Sequence, residues 1–501
     1  MSFIGVDVGT GGCKAILLGK DKKILGSAAR DYSLQTPQPG WAELDPWKVL
    51  NAVKSAIREI AHVSSGDPVQ AISVSSMGDT ITPCDEKGDP IANSILAFDT
   101  RNILEADLFE EEFSRLWVFE RTGQPIHPTY SITKILWIKR HMPDLFKQTA
   151  KYLCYEDFIT CQLCGEAAIS FSSAARIMAF DINTFDWNSD LLAFAGINDN
   201  KLANPVQSGI PLGPIKKNLA MELGLPDNVK VISGGHDQPC GSLGCGFSKN
   251  DFAIDSTGTV EVLLVSQNKP VLTEDMLEAN ICFWPHVIED RYCACGQILT
   301  AGAAFRWYRD LFFGPDEGNK NDNSNPSYEY ITNQFSDQHS NLFFIPHLAG
   351  CGTPEFLPAA KGAFFGLTLQ TDKYQIAKSI IEGVCFEMKL NINLLEHAGI
   401  AIKGMRSIGG AAKSAKWMQM KADIFDLKIE ACQFVNQCPL GASYLAAYGT
   451  GYIKDLNETV GFIDHEIKEF APVKDEAYTY SEKFREYLRF RSSIFDLYEK
   501  D

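Results

Sequence analysis

The chain has 501 residues, of which 45% are hydrophobic and 22% charged, a composition typical of a globular protein with two or three domains. Its net charge is −17 without a lysine- or arginine-rich block, which argues against nucleic acid or an anionic membrane as a partner and favours a small molecule. The start lacks a signal-peptide pattern, and no apolar run approaches the ~18 residues of a membrane span. We expect a cytoplasmic protein with reduced cysteines; the oligomeric state stays open, a homodimer included.

The predicted elements begin with a β-meander. Its three strands are FIGVDV, CKAILLG and ILGSAA, separated by the turns GTGG and KDKK. Further strands are predicted at AISVSSM, ILAF and VKVISGG, and helices at WKVLNAVKSAIREIAHV and SITKILWIKRHMPDLF. A long buried helix, KYQIAKSIIEGVCFEMKLNINLLEHAG, follows in the second half. This alternation indicates an α/β protein.

The opening pattern recurs near the middle of the chain. The first strand carries Asp7 before a glycine turn, and FAIDSTGTVEVLLVS, residues 252–266, carries Asp255 before a Gly/Thr turn. The turn residues are Thr257, Gly258 and Thr259. A duplicated unit of this kind predicts two related domains that meet near residue 248, each offering backbone N–H groups to an anion in the cleft between them. Two unrelated hairpins are the alternative.

The stretch VISGGHDQPCGSLGCG, residues 231–246, places a histidine and an aspartate among five glycines after a buried strand. Three interpretations stay open at this point: a metal site with the two cysteines of the stretch, a catalytic carboxylate beside glycines, or an ordinary strand-to-helix turn. The single CxxC, Cys161 and Cys164, has no second pair at matching spacing, because Cys293 and Cys295 are spaced differently, and this argues against zinc there.

The first turn, DVGTGGCK, is a candidate phosphate-binding turn. It lacks the glycine-lysine-hydroxyl ending of a Walker loop, and a strand follows it where a dinucleotide fingerprint requires a helix. Glycines there let the backbone approach a phosphate or adopt a positive φ, and Asp7 can hold Mg²⁺ through water. The candidate cofactor-binding residues are Gly9, Thr10, Gly11, Gly12 and Lys14.

A third glycine segment lies in residues 406–430. A predicted strand runs into Gly409, Gly410 and Ala411 before a helix, an arrangement in which the backbone and the helix N-terminus can meet a nucleotide. Close packing of the helix on the strand is the alternative.

These segments occur in a chain that resembles the FGGY carbohydrate kinases over nearly its full length. The family's C-terminal signature is similar to GAFFGLTLQTDKYQIAKSIIE, with matches at Gly362, Phe364, Gly366, Leu367, Gln375, Ile376, Ser379 and Glu382. A second signature is similar to YSITKILWIKRH, with matches at Ser131, Lys134, Trp137 and His141. Shorter similarities are PGWAELDP, FDTR and AGAAFRWYRD, the last containing Gly302.

The resemblance implies an α/β fold of two actin-like ATPase (ribonuclease H-like) domains with a ligand cleft between them. Residues 1–248 would bind the sugar and supply the catalytic base, and residues 249–501 would bind ATP. It implies ATP- and Mg²⁺-dependent phosphorylation of a sugar or polyol, with Asp237 as the base. The resemblance also implies that Gly302 and the turn from Thr257 to Thr259 bind the nucleotide.

The substrate-binding positions that the resemblance implies are Met77, Gly78, Asp99, Arg101, Asp237 and Gln238. The Met77–Gly78 pair differs from the Arg–Glu of glycerol kinases and the Met–His of xylulokinases, so the resemblance leaves the sugar open. His236 is expected to be a wall of the pocket. A sugar sensor or structural ATPase that transfers no phosphate is the rival interpretation. A dehydrogenase would need a strand-to-helix GxGxxG, which we do not find.

Overall fold

The computed structural model describes residues 1–64, 67–246, 251–313, 326–434, 436–461 and 467–498. Up to residue 246 the strands and helices are, in chain order, β1 (Ser2–Val8), β2 (Gly12–Gly19), β3 (Ile24–Asp31), β4 (Glu43–Leu44), α1 (Pro46–Ala61), β5 (Val69–Ser76), β6 (Thr82–Cys84), β7 (Ser94–Ile95), α2 (Ile103–Glu112), α3 (Arg115–Thr122), α4 (Ser131–His141), α5 (Pro143–Gln148), β8 (Lys151–Leu153), α6 (Tyr155–Cys164), β9 (Ala168–Ser170), α7 (Phe171–Ala174), β10 (Phe180–Asp181), β11 (Asp186–Trp187), α8 (Ser189–Ala195), β12 (Asn204–Val206), β13 (Pro211–Pro214), α9 (Lys217–Leu223), β14 (Lys230–His236) and α10 (Asp237–Gly244).

From residue 251 onward they are β15 (Phe252–Thr257), β16 (Glu261–Gln267), α11 (Glu274–Glu278), β17 (Cys282–Pro285), β18 (Tyr292–Ile298), α12 (Gly302–Phe312), α13 (Tyr328–Asn333), β19 (Phe343–Ile345), β20 (Ala363–Phe365), α14 (Lys373–His397), β21 (Gly404–Gly409), α15 (Ala415–Phe425), β22 (Lys428–Cys432), α16 (Gln437–Gly449), β23 (Ile467–Phe470) and α17 (Lys474–Tyr498). None of these described helices combines the length and the apolar character needed to cross a membrane.

Two large sheets organise the chain. The first has the strand order β13-β14-β5-β1-β2-β3, and the second has the order β17-β18-β16-β15-β21-β22-β23. Each contains the same unit: an antiparallel hairpin, β1–β2 or β15–β16, whose first strand also pairs in parallel with a later strand, β5 or β21. The structure therefore repeats the strand–turn–strand device that the sequence shows twice.

Helix ends follow local chemistry. Asp45 caps α1 by accepting from the backbone N–H groups of the first turn, and Pro46 occupies the position where no N–H is needed. The predicted single helix at SITKILWIKRHMPDLF is wrong, because Pro143 divides it into α4 and α5. Proline cannot donate the helical hydrogen bond, and it pushes the preceding Met142 out of the helical region, to φ −132 and ψ 58. The predicted strand at ILAF is reduced to β7.

Helix α16 packs back onto the first sheet and against α10, although in the chain it lies between β22 and β23, two strands of the second sheet. Glycines make this contact close: a Cβ atom at Gly5 would stand 1.8 Å from the carbonyl oxygen of Pro439, and one at Gly441 would stand 1.9 Å from that of Cys240. The domain boundary expected at residue 248 lies outside the described residues, and the division into 1–248 and 249–501 stays a prediction.

Candidate active site

Asp237 lies where a buried strand ends and a short helix begins. β14 pairs in parallel with β5, and glycine lets the two backbones approach, since a Cβ atom at Gly234 would stand 1.7 Å from the carbonyl oxygen of Val74. The strand ends at His236, and Asp237 is the first residue of α10. The stretch is thus a strand-to-helix turn, and this turn places a carboxylate at the edge of the first sheet.

Three parallel strands end at this edge, and their following residues meet there. β1 ends before Gly9, β5 ends before Met77, and β14 ends before Asp237. The backbone N–H of Met77 donates to the carbonyl oxygen of Val8 at 2.9 Å, which ties the ends of β1 and β5 together. Ligands of α/β proteins bind at the carboxyl ends of parallel strands, so the predicted sugar residues Met77 and Gly78 adjoin the predicted base.

Two carboxylates at this edge have raised pKa values. Burial raises the pKa of Asp237 to about 7, the like charge of Asp7 adds to this, and the backbone N–H of Gln238 opposes it. Burial also raises the pKa of Asp7 to about 6, although the hydroxyl of Ser75 donates to it at 3.0 Å and the charge of Lys14 favours its ionised form. Asp237 can therefore accept a proton near neutral pH.

His236 and Arg176 fill the space over Gly78. A Cβ atom at Gly78 would stand 2.7 Å from Cδ2 of His236 and 2.9 Å from Cγ of Arg176, so a larger residue does not fit there. Nε2 of His236 lies 3.2 Å from Oδ1 of Asp237, although the two groups are not aligned for a hydrogen bond. The rings of His236 and Trp284 are perpendicular with centroids 5.8 Å apart, and the guanidinium of Arg176 lies 4.9 Å from the Trp284 ring. Burial and the nearby guanidinium lower the pKa of His236 well below its usual range, so the imidazole is neutral.

Five neighbouring side chains each hold a buried polar atom that lacks a hydrogen-bond partner within the described structure. We call them the acceptor pocket, and the atoms are Asp79 Oδ1, Arg176 Nε, His236 Nδ1, Asp237 Oδ1 and Trp284 Nε1. Buried polar atoms are normally paired, because leaving one unpaired costs ~1 to 3 kcal/mol. The side chains contact one another in pairs, and a polar ligand beside them would supply the missing partners.

Three members of the acceptor pocket were not anticipated from the sequence. Asp79 had a signal, since it directly follows the predicted sugar residue Gly78 in SSMGDT. Arg176 lies in a short 3-10 turn after α7, and Trp284 lies in β17 of the second sheet. Neither stands in a motif, and only the fold brings them together.

Asp99 and Arg101 form a closed pair with each other. Oδ1 of Asp99 accepts from the backbone N–H and Nε of Arg101, both at 2.9 Å, and Oδ2 accepts from the backbone N–H of Ala42 at 2.6 Å. Arg101 also donates to Glu43 at 2.8 Å and lies 3.7 Å from the ring of Trp41. Since these polar groups are engaged with one another, a direct contact with sugar stays a prediction.

The first glycine turn is held by its own backbone. The N–H of Gly9 donates to the carbonyl oxygen of Gly12 at 3.0 Å, and the hydroxyl of Tyr32 donates to the carbonyl oxygen of Gly9 at 2.6 Å. Neither Gly9 nor Gly11 has a positive φ, so the alternative based on left-handed backbone is wrong. The space beside Gly11 is open, with no heavy atom within 4 Å of an added Cβ, and Thr10 is exposed.

The other predicted nucleotide segments contact one another at the edge of the second sheet. The N–H of Gly302 donates to the carbonyl oxygen of Gly258 at 3.0 Å, and a Cβ at Gly302 would stand 2.2 Å from that oxygen. The N–H of Gly410 donates to the carbonyl oxygen of Thr257 at 3.0 Å, and Gly409 has φ +90. Glycine is required at Gly302 by this close approach and at Gly409 by the backbone conformation.

The two repeated aspartates have different surroundings. Asp7 pairs across β1 and β5 with Ser75, and Asp255 pairs across β15 and β21 with Ser407, whose hydroxyl donates to it at 2.6 Å. The buried ammonium of Lys421 also donates to Asp255, and both side chains are 0% exposed. Asp255 is therefore neutralised by a lysine inside the protein, whereas Asp7 is the member of the pair with a carboxylate suited to a cation.

Within the described ranges, no group of three or more His, Cys, Asp or Glu side chains is arranged to hold a metal ion. The metal interpretation of residues 231–246 therefore finds no ligand set in that part of the chain. His236 and Asp237 instead meet as neighbours in the acceptor pocket.

Comparison with known proteins gives matches over nearly the whole chain. The N-terminal domain model of the FGGY family of carbohydrate kinases matches residues 2–244, and its C-terminal domain model matches residues 254–450. The xylulose kinase of Staphylococcus epidermidis is 30% identical over 464 residues, which cover 91% of this chain and 90% of that protein.

Among solved structures, a ligand-bound xylulose kinase from Lactobacillus acidophilus has a TM-score of 0.91 and 26% identity, covering 100% of this chain and 99% of that one. A gluconate kinase from the same organism has a TM-score of 0.90 and 26% identity, covering 98% of each chain. These likenesses confirm the expected fold class, an α/β chain of two actin-like ATPase domains.

Proposed function

Since the chain belongs to the FGGY family of carbohydrate kinases, we propose that it phosphorylates a sugar or polyol hydroxyl with Asp237 as general base. Carbohydrate kinase activity follows from the family; the residue roles and the acceptor are the proposal. ATP is the donor, and the acceptor is a sugar, ketose, aldonate or polyol phosphorylated in the cytoplasm. The observation that carries the proposal is the carboxylate of Asp237, which has a pKa of about 7 and an unpaired oxygen at the edge where three parallel strands end.

Proton transfer to Asp237 makes the acceptor hydroxyl a better nucleophile. The carboxylate of Asp237 accepts the proton of this hydroxyl while the hydroxyl oxygen attacks the γ-phosphorus of ATP in line with the leaving ADP. The nearby Asp7 raises the proton affinity of Asp237, which suits a base that must take a proton from an alcohol. Gln238 follows the base and is proposed to hold a substrate hydroxyl, with Met77 and Gly78 beside it.

Asp7 is proposed to hold Mg²⁺ through water. Its carboxylate fits that role because it is an oxygen ligand whose pKa is raised to about 6, and a cation nearby would favour its ionised form. The ion, when bound, neutralises charge on the phosphate oxygens. Lys14, which faces Asp7 across the hairpin, adds positive charge on the same side.

The nucleotide is proposed to lie between the two sets of glycine segments. Gly9 to Gly12 offer backbone N–H groups to phosphates from the first sheet. The segments at Gly258, Gly302 and Gly409 contact one another on the second sheet, and they form the proposed surface for the rest of the nucleotide. Closing of the two halves would exclude water that would otherwise hydrolyse ATP.

The names of the relatives indicate xylulose and gluconate as first acceptors to test. The experiment is an ADP-release assay over pentuloses, hexuloses, aldonates and polyols, with mass spectrometry of the product. Formation of a sugar phosphate that Asp237→Asn abolishes supports the proposal. ADP release without a phosphorylated product would support a nucleotide-hydrolysing sensor instead, and near-normal turnover by the folded variant would remove Asp237 from its role.

A further inference from the structure

We propose that the acceptor is a neutral ketose or polyol and that Asp79, together with Arg176, makes the pocket reject aldonates. This inference rests on the proposed function of the site. The named relatives do not decide whether the acceptor is neutral or anionic. Xylulose is a neutral ketose and gluconate is an anion, yet kinases of both names are similar to this chain in fold to nearly the same degree.

Arg176 is a cation of the acceptor pocket, and both of its terminal nitrogens already donate to the protein. Nη1 donates to Oε1 of Gln124 at 2.9 Å, and Nη2 donates to Oδ2 of Asp79 at 3.1 Å. Nε is buried and unpaired. Arginine binds a carboxylate most strongly through two parallel N–H groups, whereas a single N–H suits a hydroxyl or a ketone oxygen.

Lys134 is a second buried cation close to Asp79, and it too is committed to the protein. Its ammonium donates to the backbone carbonyl oxygen of Asp79 at 3.0 Å and to those of Pro128 and Thr129. These three carbonyls match the three protons of an ammonium group. Lys134 therefore supports the backbone of the pocket and leaves no donor for a substrate carboxylate.

Asp79 is held in an unusual conformation that serves the pocket. Its φ is +61, a region that aspartate and asparagine enter more readily than most residues, and the residue is only 6% exposed. One carboxylate oxygen pairs with Arg176, and the other, Oδ1, has no partner. Backbone strain of this kind is concentrated at functional sites, and here it presents an acceptor oxygen beside Gly78.

The unpaired atoms define the chemistry of the ligand. Arg176 Nε and Trp284 Nε1 can only donate, Asp79 Oδ1 and Asp237 Oδ1 accept, and the neutral His236 adds one ring nitrogen. Hydroxyl groups both donate and accept, so a ligand rich in hydroxyls can pair with the donors as well as with the acceptors of this set. A carboxylate offers no donor and would bring its charge to a pocket that already holds two carboxylates and one guanidinium.

The experiment compares ligands matched in carbon number that differ in charge. Calorimetry without ATP gives Kd for xylitol against D-xylonate and for D-glucitol against D-gluconate, and the ADP assay gives kcat/KM for the same compounds and for D-xylulose. We expect the best neutral ligand to have a Kd at least ~100-fold lower, and a kcat/KM at least ~100-fold higher, than any aldonate. The reason is that the carboxylate of an aldonate leaves buried acceptors unpaired. Asp79→Asn removes the charge of the side chain and keeps its shape and its tolerance of a positive φ. We expect this variant to reduce the preference for neutral over anionic ligands, in Kd and in kcat/KM, by ~10-fold or more.

Asp426→Asn is the matched control, because Asp426 also has a positive φ, +54, and lies at the end of helix α15, outside the acceptor pocket. Asp426→Asn should leave the preference for neutral over anionic ligands unchanged, both in Kd and in kcat/KM. Three results would overturn the inference: an aldonate as the preferred ligand, binding of none of these ligands, or an Asp79→Asn variant that weakens neutral and anionic ligands equally. Neutral binding without a phosphorylated product would instead refute the proposed function and leave the charge preference standing.

Discussion

Replacing Asp237 by asparagine should stabilise the protein while it removes activity. Burial and Asp7 raise the pKa of Asp237 from 3.8 to about 7 in the folded state, a difference of roughly three pH units. Each unit of pKa difference corresponds to ~1.4 kcal/mol, so keeping the carboxylate ionised in the folded protein above pH 7 costs up to ~4 kcal/mol. Its side chain is 29% exposed, and solvent screening sets the expected gain between about half of that cost and the whole of it, ~2 to 4 kcal/mol.

The sign of the pH dependence follows from proton binding. Between about pH 4 and 7 the folded protein holds the proton of Asp237 more tightly than the unfolded chain does. The free energy of unfolding of the wild type therefore falls as pH rises through this window. The Asp237→Asn variant lacks the titrating carboxylate, so its free energy of unfolding does not fall for this reason. The stability difference should be absent near pH 4 and reach its full size above pH 7.

Thermal unfolding of both proteins from pH 5 to 8 measures this difference. We expect a rise in Tm of the variant over wild type of ~4 to 8 °C at pH 8, and less at pH 5. Asp107→Asn, at an exposed position of α2, is the matched control and should show no such trend. The variant should also lose phosphoryl transfer by ~10²- to 10⁴-fold. A variant less stable than wild type at pH 8, or a pH-independent difference, would show that Asp237 does not carry a raised pKa in the folded protein.

Four further outcomes are expected. The kcat/KM of the wild type should fall tenfold per pH unit below about pH 7, as Asp237 takes up its proton, and a profile flat to pH 5 would contradict its role. Gly11→Val should leave Tm unchanged, since the space beside Gly11 is open, but should raise KM for ATP more than KM for the acceptor; the reverse would place the phosphates elsewhere. Lys421→Met should destabilise by ~3 to 5 kcal/mol because it leaves Asp255 buried without its cation, whereas the exposed Lys416→Met on the same helix should have little effect in urea unfolding. Calorimetry should show that the acceptor and a non-hydrolysable ATP analogue tighten each other's binding by the same factor, ~5- to 150-fold; independent binding would refute closure of the cleft.

Local sequence signals predicted much of the fold, because hairpins and helices depend on nearby residues. The glycine turn after Asp7 and the Gly/Thr turn after Asp255 both join antiparallel strands, as their composition predicts. The error at Pro143 was also local, since the apolar spacing continues across a residue that ends the helix. Such breaks are readable in the sequence when proline is given more weight than periodicity.

The candidate site was less predictable, because its chemistry depends on long-range contacts. The position of Asp237 after a buried strand could be recognised, but the pKa that suits it to its role comes from burial and from Asp7, 230 residues away. Arg176 and Trp284 come from separate elements and converge only in the fold. The pairing of Asp99 with Arg101 likewise shows that a motif identifies neighbours without saying which of their atoms stay free.

A single-turnover measurement of phosphoryl transfer at pH 8 tests the role of Asp237 as catalytic base. Wild type and Asp237→Asn are each mixed with [γ-³²P]ATP, Mg²⁺ and the best acceptor from the screen, and labelled sugar phosphate and free phosphate are counted separately. We expect stoichiometric labelled sugar phosphate from wild type and almost none from the variant, although the variant binds ATP and acceptor normally. Labelled sugar phosphate formed at a similar rate by both proteins would contradict the assignment of Asp237 as the catalytic base.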